Sequence, residues 1–402
     1  MKKIVLLSVL SSSLLLASGY RLPVSSVKSV ALGAAYVANT KGADSAYYNP
    51  ANMVFDEDVH QIEGALTNIG LPPVVYKDNR NPAFNGESER ENILAPTFFY
   101  SSKDYNGVRY GFSVIVPAGL TKRWESPYPK AYAQEFALKI IDFNPTVAYK
   151  VSENFAAAVG LRLIYSEGKI KSDGSGVGKN IAREMEADAL EFGYNVALTY
   201  KPISNLNLAA TYRSNVDINE EGNAKLFLGG DMYYDGGASL KVTLPAILAL
   251  AISYDFGATV VEFEYDRTFW SEYKNLDFNF KSKVPLDILV GAFDDPKPRY
   301  WQDADAYRFG VTHQLNKKIV LLGGVAFDKT PVQEKYLGFE TPDSDSILYT
   351  GGITYQYSDK VSFGGAISYT DKEDRSIKNE TVDGEFTDSS ALLTTLGVSY
   401  KF

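Results

Sequence analysis

The chain has 402 residues, a formal net charge of −9 and no cysteine. The missing thiols exclude a disulfide framework and thiolate metal sites, and the acidic balance argues against nucleic acid as a partner. Mean hydropathy is slightly polar, and no segment beyond the N-terminus approaches the roughly 20 apolar residues that a spanning helix needs.

Lys2 and Lys3 precede an apolar run from Ile4 to Leu16, followed by the small residues Ala17, Ser18 and Gly19. This pattern predicts a secretory signal peptide over residues 1–19, cleaved after Gly19 or within a residue or two of it. An exported chain without a helical span is either soluble outside the membrane or a β-barrel. The 28 Tyr and 22 Phe favour the barrel, whose aromatic girdles sit at both membrane interfaces. Residues 20–58 are rich in Ala, Gly and Ser, with too few branched side chains for a lipid-facing strand. Composition leaves two readings of them open, a flexible periplasmic tail or a plug for a wide lumen.

From Val59 to the end, residues 59–402, the chain reads as amphipathic runs whose connections alternate short and long. Strands are expected to begin near Val59, Leu94, Gly107, Ala133, Asn154, Ala187, Leu206, Ala238, Ala258, Ala306, Ile319, Ile347, Val361 and Ala391. Short turns on one side and long polar loops on the other describe an all-β fold, a 14-stranded antiparallel transmembrane barrel with both termini in the periplasm. The runs Leu206 to Asn219 and Ala258 to Phe280 exceed the roughly 9 to 11 residues needed to cross hydrocarbon and should project beyond the outer surface.

In the third strand Pro117, Ala118 and Gly119 interrupt the alternation. Pro cannot donate to a ladder and Gly has no side chain to pack, so this is either a tolerated bulge or a deliberate break. Trp124, Trp270 and Trp301 fall near outer strand ends or in outer loops, and each taken singly reads as an interface-belt aromatic. His60 and His313, the only histidines, lie outward near the periplasmic rim, and no Ser–His pair converges, so an enzyme is not expected. The pairs Asp303 with Asp305 and Asp343 with Asp345 lack the ligand spacing of a calcium loop and read as solvated loop charge, leaving no metal or cofactor to expect. The chain ends in a strictly alternating strand, Leu396 to Phe402, whose Tyr400 and Phe402 resemble the signal read by the outer-membrane assembly machinery.

Several segments together resemble FadL-type outer-membrane transporters of long-chain fatty acids and other hydrophobic compounds. These are the Gly-Tyr-Arg-Leu opening, Asn49-Pro50-Ala51, Thr211-Tyr212-Arg213-Ser214, Leu244-Pro245, Phe269-Trp270-Ser271, Asp305-Ala306-Tyr307-Arg308, Ala326 to Val332 and Tyr400-Lys401-Phe402. The resemblance implies a barrel closed by an N-terminal hatch carrying Asn49, Pro50 and Ala51, and an inward kink of the third strand that opens a side portal at Pro117 to Gly119. It implies passive diffusion, capture at outer loops, hatch movement and lateral exit. Trp270 matches a family position, and any of the three tryptophans could line a capture groove. Arg162 and Arg308 point inward and are candidates for a substrate carboxylate, although Arg308 could equally pair with a luminal acid.

The partners expected are a hydrophobic small molecule, outer-membrane lipid and lipopolysaccharide, and the assembly machinery, with the barrel acting as a monomer. A general diffusion porin is the alternative within transport, and a surface adhesin is the alternative outside it.

Overall fold

In the computed structural model, which describes residues 19–402, fourteen antiparallel staves close into a barrel. The first six are β1 (Gln61–Leu71), β2 (Glu91–Ser101), β3 (Val108–Arg123), β4 (Glu135–Ser152), β5 (Phe155–Asp173) and β6 (Ile181–Ile203). The next three are each broken midway: β7 (Leu206–Arg213 and Val216–Leu228), β8 (Asp231–Leu244 and Ile247–Asp255) and β9 (Thr259–Thr268 and Asn275–Phe280). The last five are β10 (Ala304–Gln314), β11 (Ile319–Asp328), β12 (Ser346–Gln356), β13 (Val361–Lys372) and β14 (Ser390–Lys401). β1 closes the ring. It pairs with β14 from Gln61 opposite Lys401 to Gly70 opposite Leu392, and with β2 along its whole length.

Side-chain alternation sets the membrane level. On β6, Leu190, Phe192, Tyr194, Val196, Leu198 and Tyr200 are all exposed on the outer face, whereas Glu184, Glu186 and Asp188 continue the same face above them. Charges on a lipid face are costly, so hydrocarbon ends near Asp188 and the rest of the stave stands in water. This explains why β6 begins at Ile181 rather than near Ala187, and β8 at Asp231 rather than near Ala238. Above the membrane the outer face turns charged while the inner face is apolar, with Met185, Ala187 and Ala189 of β6 and Tyr234, Ala238 and Leu240 of β8 buried, so the polarity expected of a lipid-facing strand is inverted there. The long runs do not project as unbroken strands either. β7 breaks at Ser214 and Asn215, β8 at Pro245 and Ala246, and β9 makes an excursion over residues 269–274 that carries Trp270 inward.

Four short strands outside the barrel, Val75–Asp78, Gly86–Glu87, Arg375–Lys378 and Asp383–Thr387, form a small sheet over its outer end. They come from the β1–β2 and β13–β14 loops and pack Tyr76 and Phe386 against Phe339. At the opposite rim His60 stacks between Phe402 and Tyr100, with ring centroids 5.3 and 6.1 Å away, and His313 bonds Thr259 at 2.9 Å.

Candidate functional site

The chain from Tyr20 to Phe55 is almost wholly buried, and polar groups from staves all round the barrel converge on it, so it occupies the lumen. A short helix, Val27–Ala31, is capped reciprocally by Ser26 and Ser29. Carbonyls at and just beyond its C-terminal end are taken up by the wall: Thr350 of β12 donates to Ala31 O at 2.8 Å and Arg308 of β10 to Gly33 O at 3.2 Å. Lys28 lies between Asp44 at 2.8 Å and Glu63 of β1 at 3.3 Å. Burial works against its charge, but these two carboxylates outweigh that and hold the ammonium well above its usual range.

Beyond the helix, Glu262 of β9 accepts the backbone N–H groups of Val37, Ala38 and Asn39, and Glu264 accepts that of Tyr36. Asn49 shows why the Asn-Pro-Ala sequence stands where it does. Its carbonyl oxygen accepts Ala51 N–H at 3.1 Å, and Pro50 fills the first position of the 3-10 turn Pro50–Phe55, where a missing N–H costs nothing. The Asn49 amide donates to Val37 O at 2.8 Å and to Thr199 of β6 at 2.9 Å, so one side chain ties the turn to both the segment and the wall.

β3 leaves its neighbour partway up. It pairs with β2 only from Gly111 opposite Ser101 to Val114 opposite Phe98. On its other side the register to β4 shifts between Ile115, opposite Asp142, and Ala118, opposite Ile140, which inserts one extra residue. This is a β-bulge. The freed edge pairs inward instead: Leu22 N–H donates to Pro117 O and Gly119 N–H to Tyr20 O, both at 2.8 Å. The notch left in the wall is closed above by Arg123, which grips Glu91 with two bonds of 2.6 and 2.7 Å. Between these limits Ile93 and Ala95 of β2 face Leu22, Val24 and Val116 across apolar contacts. Pro96, whose lack of an N–H the sequence shows but whose place beside the notch it does not, lies on the β2 side of the gap.

Cavities lie in and above the lumen among the described residues. The outer one, about 830 Å³, lies under the loops between Tyr132, Phe278, Phe293, Tyr336 and Phe339, with the Arg183 guanidinium over the Phe278 ring at 4.5 Å. Phe136, Leu276, Arg299 and Glu340 line both this cavity and a small inner pocket, in which Arg299 pairs with Glu340 at 2.7 Å. The rest of the inner pocket is lined by apolar side chains, Gly168, Tyr20, Tyr273, Trp301, Thr341 and Glu220. A third cavity, about 50 Å³, lies against Pro117, Leu22 and Arg162. Tyr20 lines the inner pocket, and the next two residues, Arg21 and Leu22, line the third cavity.

Several expectations are corrected. Trp124, Trp270 and Trp301 are 0, 0 and 2 % exposed and form no interface belt. Trp124 donates to Phe339 O at 2.9 Å, and Trp270, Trp301 and Tyr20 form one ring cluster with centroids 4.7 to 5.7 Å apart. Both inward arginines have partners within the protein. Arg308 is held by Asp266 at 2.7 Å and Asp328 at 2.9 Å, and Arg162 by Asp142 at 2.8 Å and Ser214 O at 3.1 Å. Asp343 is buried rather than solvated, bonded to Lys372 and Thr330 at 2.6 Å each, while Asp303 and Asp305 pair with Arg267. Sequence reading missed Glu220, Arg299 and Arg183. Glu220 carried a signal, an acid on the inward face of Val216 and Ile218, but Arg299 lies in a loop without periodicity.

The sequence model of the family described as outer membrane protein transport protein (OMPP1/FadL/TodX) matches residues 8–402. The chain belongs to this family. It is therefore an outer-membrane protein of the FadL/TodX transport type. A long-chain fatty acid transport protein of Escherichia coli O6:H1 is 21% identical over 84% of both chains, and a 47 kDa outer membrane protein of Pasteurella multocida is 23% identical over 96% of this chain and 95% of that one. The fold is similar to a Pseudomonas aeruginosa FadL homologue, with a TM-score of 0.84 at 17% identity over 96% of this chain and all of that one. It is also similar to the Pseudomonas putida toluene transporter TodX, with a TM-score of 0.71 at 19% identity over 94% of this chain and 98% of that one. The predicted signal peptide lies, apart from Gly19, outside the described residues.

Proposed function

We propose that this FadL/TodX-family barrel takes up hydrophobic small molecules passively, by capture in the outer cavity, transfer to the inner pocket and sideways release beside β3. The observation that carries this reading is the loss of pairing between β2 and β3 above Val114. Unpaired backbone in hydrocarbon is costly, and a barrel that keeps a notch there, lined by Ile93, Ala95 and Val116, has a use for it. Solubility supplies the direction. Each buried CH2 favours the bilayer over water by roughly 0.8 kcal/mol, so an apolar substrate leaves into lipid rather than into the periplasm. The luminal segment acts as a hatch: a shift of Tyr20 to Leu22 away from Pro117 and Gly119 joins the inner pocket to the notch while the bonds around Asn49 hold the rest in place.

Deleting Pro117 tests this. It removes the one extra residue at the bulge and leaves Ala118 opposite Ile140, so β3 can continue straight alongside β2. The barrel should still run as a folded, heat-modifiable species, and uptake of a radiolabelled hydrophobic compound should fall to the level of cells lacking the protein. Unchanged uptake by the folded variant would sink the notch as an exit.

A further inference from the structure

We propose that the inner pocket, with room of about 20 Å³, takes the hydroxyl end of a neutral hydrophobic molecule whose chain lies in the adjoining outer cavity, the hydroxyl donating to Glu220, and that it disfavours the head group of the alkyl carboxylate of the same length. The inference rests on the inner pocket being a station on the uptake route, as argued above. Glu220 is fully buried and lines the pocket. One of its carboxylate oxygens accepts the Ser166 hydroxyl, and the other, Oε2, has no hydrogen-bond partner. A buried acceptor left unmade is costly, and a ligand that satisfies it gains that difference.

The site is built to keep that oxygen in place. β5 carries Gly168 directly beneath it, and a methyl there would overlap the Glu220 carboxylate. The surroundings are mostly apolar or aromatic, among them Leu240, Val242 and Ile170, with Thr341 besides. The indole N–H of Trp301, on the same pocket, is also without a partner, so a hydroxyl that donates to Glu220 has a donor of its own within the lining.

A carboxylate meets the opposite conditions. Among the described residues the one cation lining the pocket is Arg299, already paired with Glu340 at 2.7 Å. Recruiting it would strand the Glu340 carboxylate, and the incoming anion would face the Glu220 oxygen, acceptor against acceptor. Sites that hydrogen-bond a buried hydroxyl discriminate strongly against analogues lacking it, because their own polar group is then unpaired.

The test uses the full barrel in detergent at pH 9, above the value of about 7 to which burial raises Glu220, and three probes, 1-decanol, decane and decanoate, with binding read from the change in fluorescence of Trp124, Trp270 and Trp301. For each probe the readout is the change from wild type to variant, which cancels partitioning into micelles. Glu220→Leu should weaken decanol by about tenfold, a modest share of the discrimination such sites reach, and tighten decanoate. Glu220→Gln, which keeps an acceptor, should retain decanol binding. Gly168→Ala displaces the carboxylate without removing it and should also weaken decanol, so the inference stays testable if Glu220→Leu does not fold. Decanol binding that is indifferent to these changes, or decanoate weakened by Glu220→Leu, overturns the hydroxyl preference while leaving the pocket in the uptake route. If none of the three probes alters the fluorescence, both the preference and the pocket's place in that route fall.

Discussion

Arg308 shows what the inward charges of this barrel are for. Its guanidinium bridges Asp266 and Asp328 on the neighbouring staves and donates to Gly33 O of the luminal segment, so it joins β9, β10, β11 and the segment at one point. Removing one member of a buried ion cluster leaves its partners uncompensated. Arg308→Met should therefore destabilise the barrel by about 3 kcal/mol, read as an earlier midpoint in urea unfolding from lipid vesicles. Arg21, 3.2 Å from Asp266, tempers the loss there, so a second change, Asp328→Leu, should recover part of it. If Arg308 instead held a substrate carboxylate, decanoate affinity would drop while the midpoint stayed in place. The inward direction of Arg308 and Arg162 was legible from strand parity. Their partners were not, because Asp266, Asp328 and Gly33 are distant in sequence and parity says nothing about which side chains meet in a lumen.

At the level of elements, the staves that alternate against lipid were legible in number and order, and those that break were not. Alternation marks a strand only where one face is apolar and the other polar, as on β6 from Leu190 to Tyr200. Ser214 and the excursion over residues 269–274 carry no such contrast, whereas Pro117 betrayed the bulge in β3 because a closed barrel offers proline no free edge. The small outer sheet was invisible for a further reason: its four strands are two to five residues long and lie in two different loops. One of its ends carries a testable clamp. Asp78 is partly buried, which pushes its carboxyl up, but bonds from Arg80 and the Tyr76 hydroxyl outweigh this and leave it at about 2. A carboxyl depressed in the folded state contributes stability above its unfolded value near 4, and that contribution is lost as pH falls through the folded value. Pepsin cleavage in residues 79–85 should accordingly rise between pH 4 and pH 2. Asp78→Asn, which has no proton to gain, should be cut readily at both and show a flattened dependence.

For the whole molecule the decisive arrangement is a wide barrel whose interior is filled by a segment bonded to staves on every side. Closure of the wall does not depend on that segment. β1 and β14 pair over ten residues from Gln61 opposite Lys401 to Gly70 opposite Leu392, and the contacts are strand to strand. Deleting residues 21–55 would remove the luminal partners of Glu262, Glu264 and Arg213 and one of the three partners of Arg308, but water would enter the emptied lumen and solvate those charges rather than leave them stranded. The shortened barrel should therefore assemble and remain heat-modifiable, and in planar bilayers its ion conductance should rise from near the baseline to the steady, large steps of an open pore. The intact chain should show no such steps, because the segment occupies the lumen and the Arg123–Glu91 pair bridges the top of the notch. Large steady conductance from the intact protein would instead favour a general porin and would remove the reason for a side exit, since a solute with a water-filled path through the centre has no need of a gap in the wall.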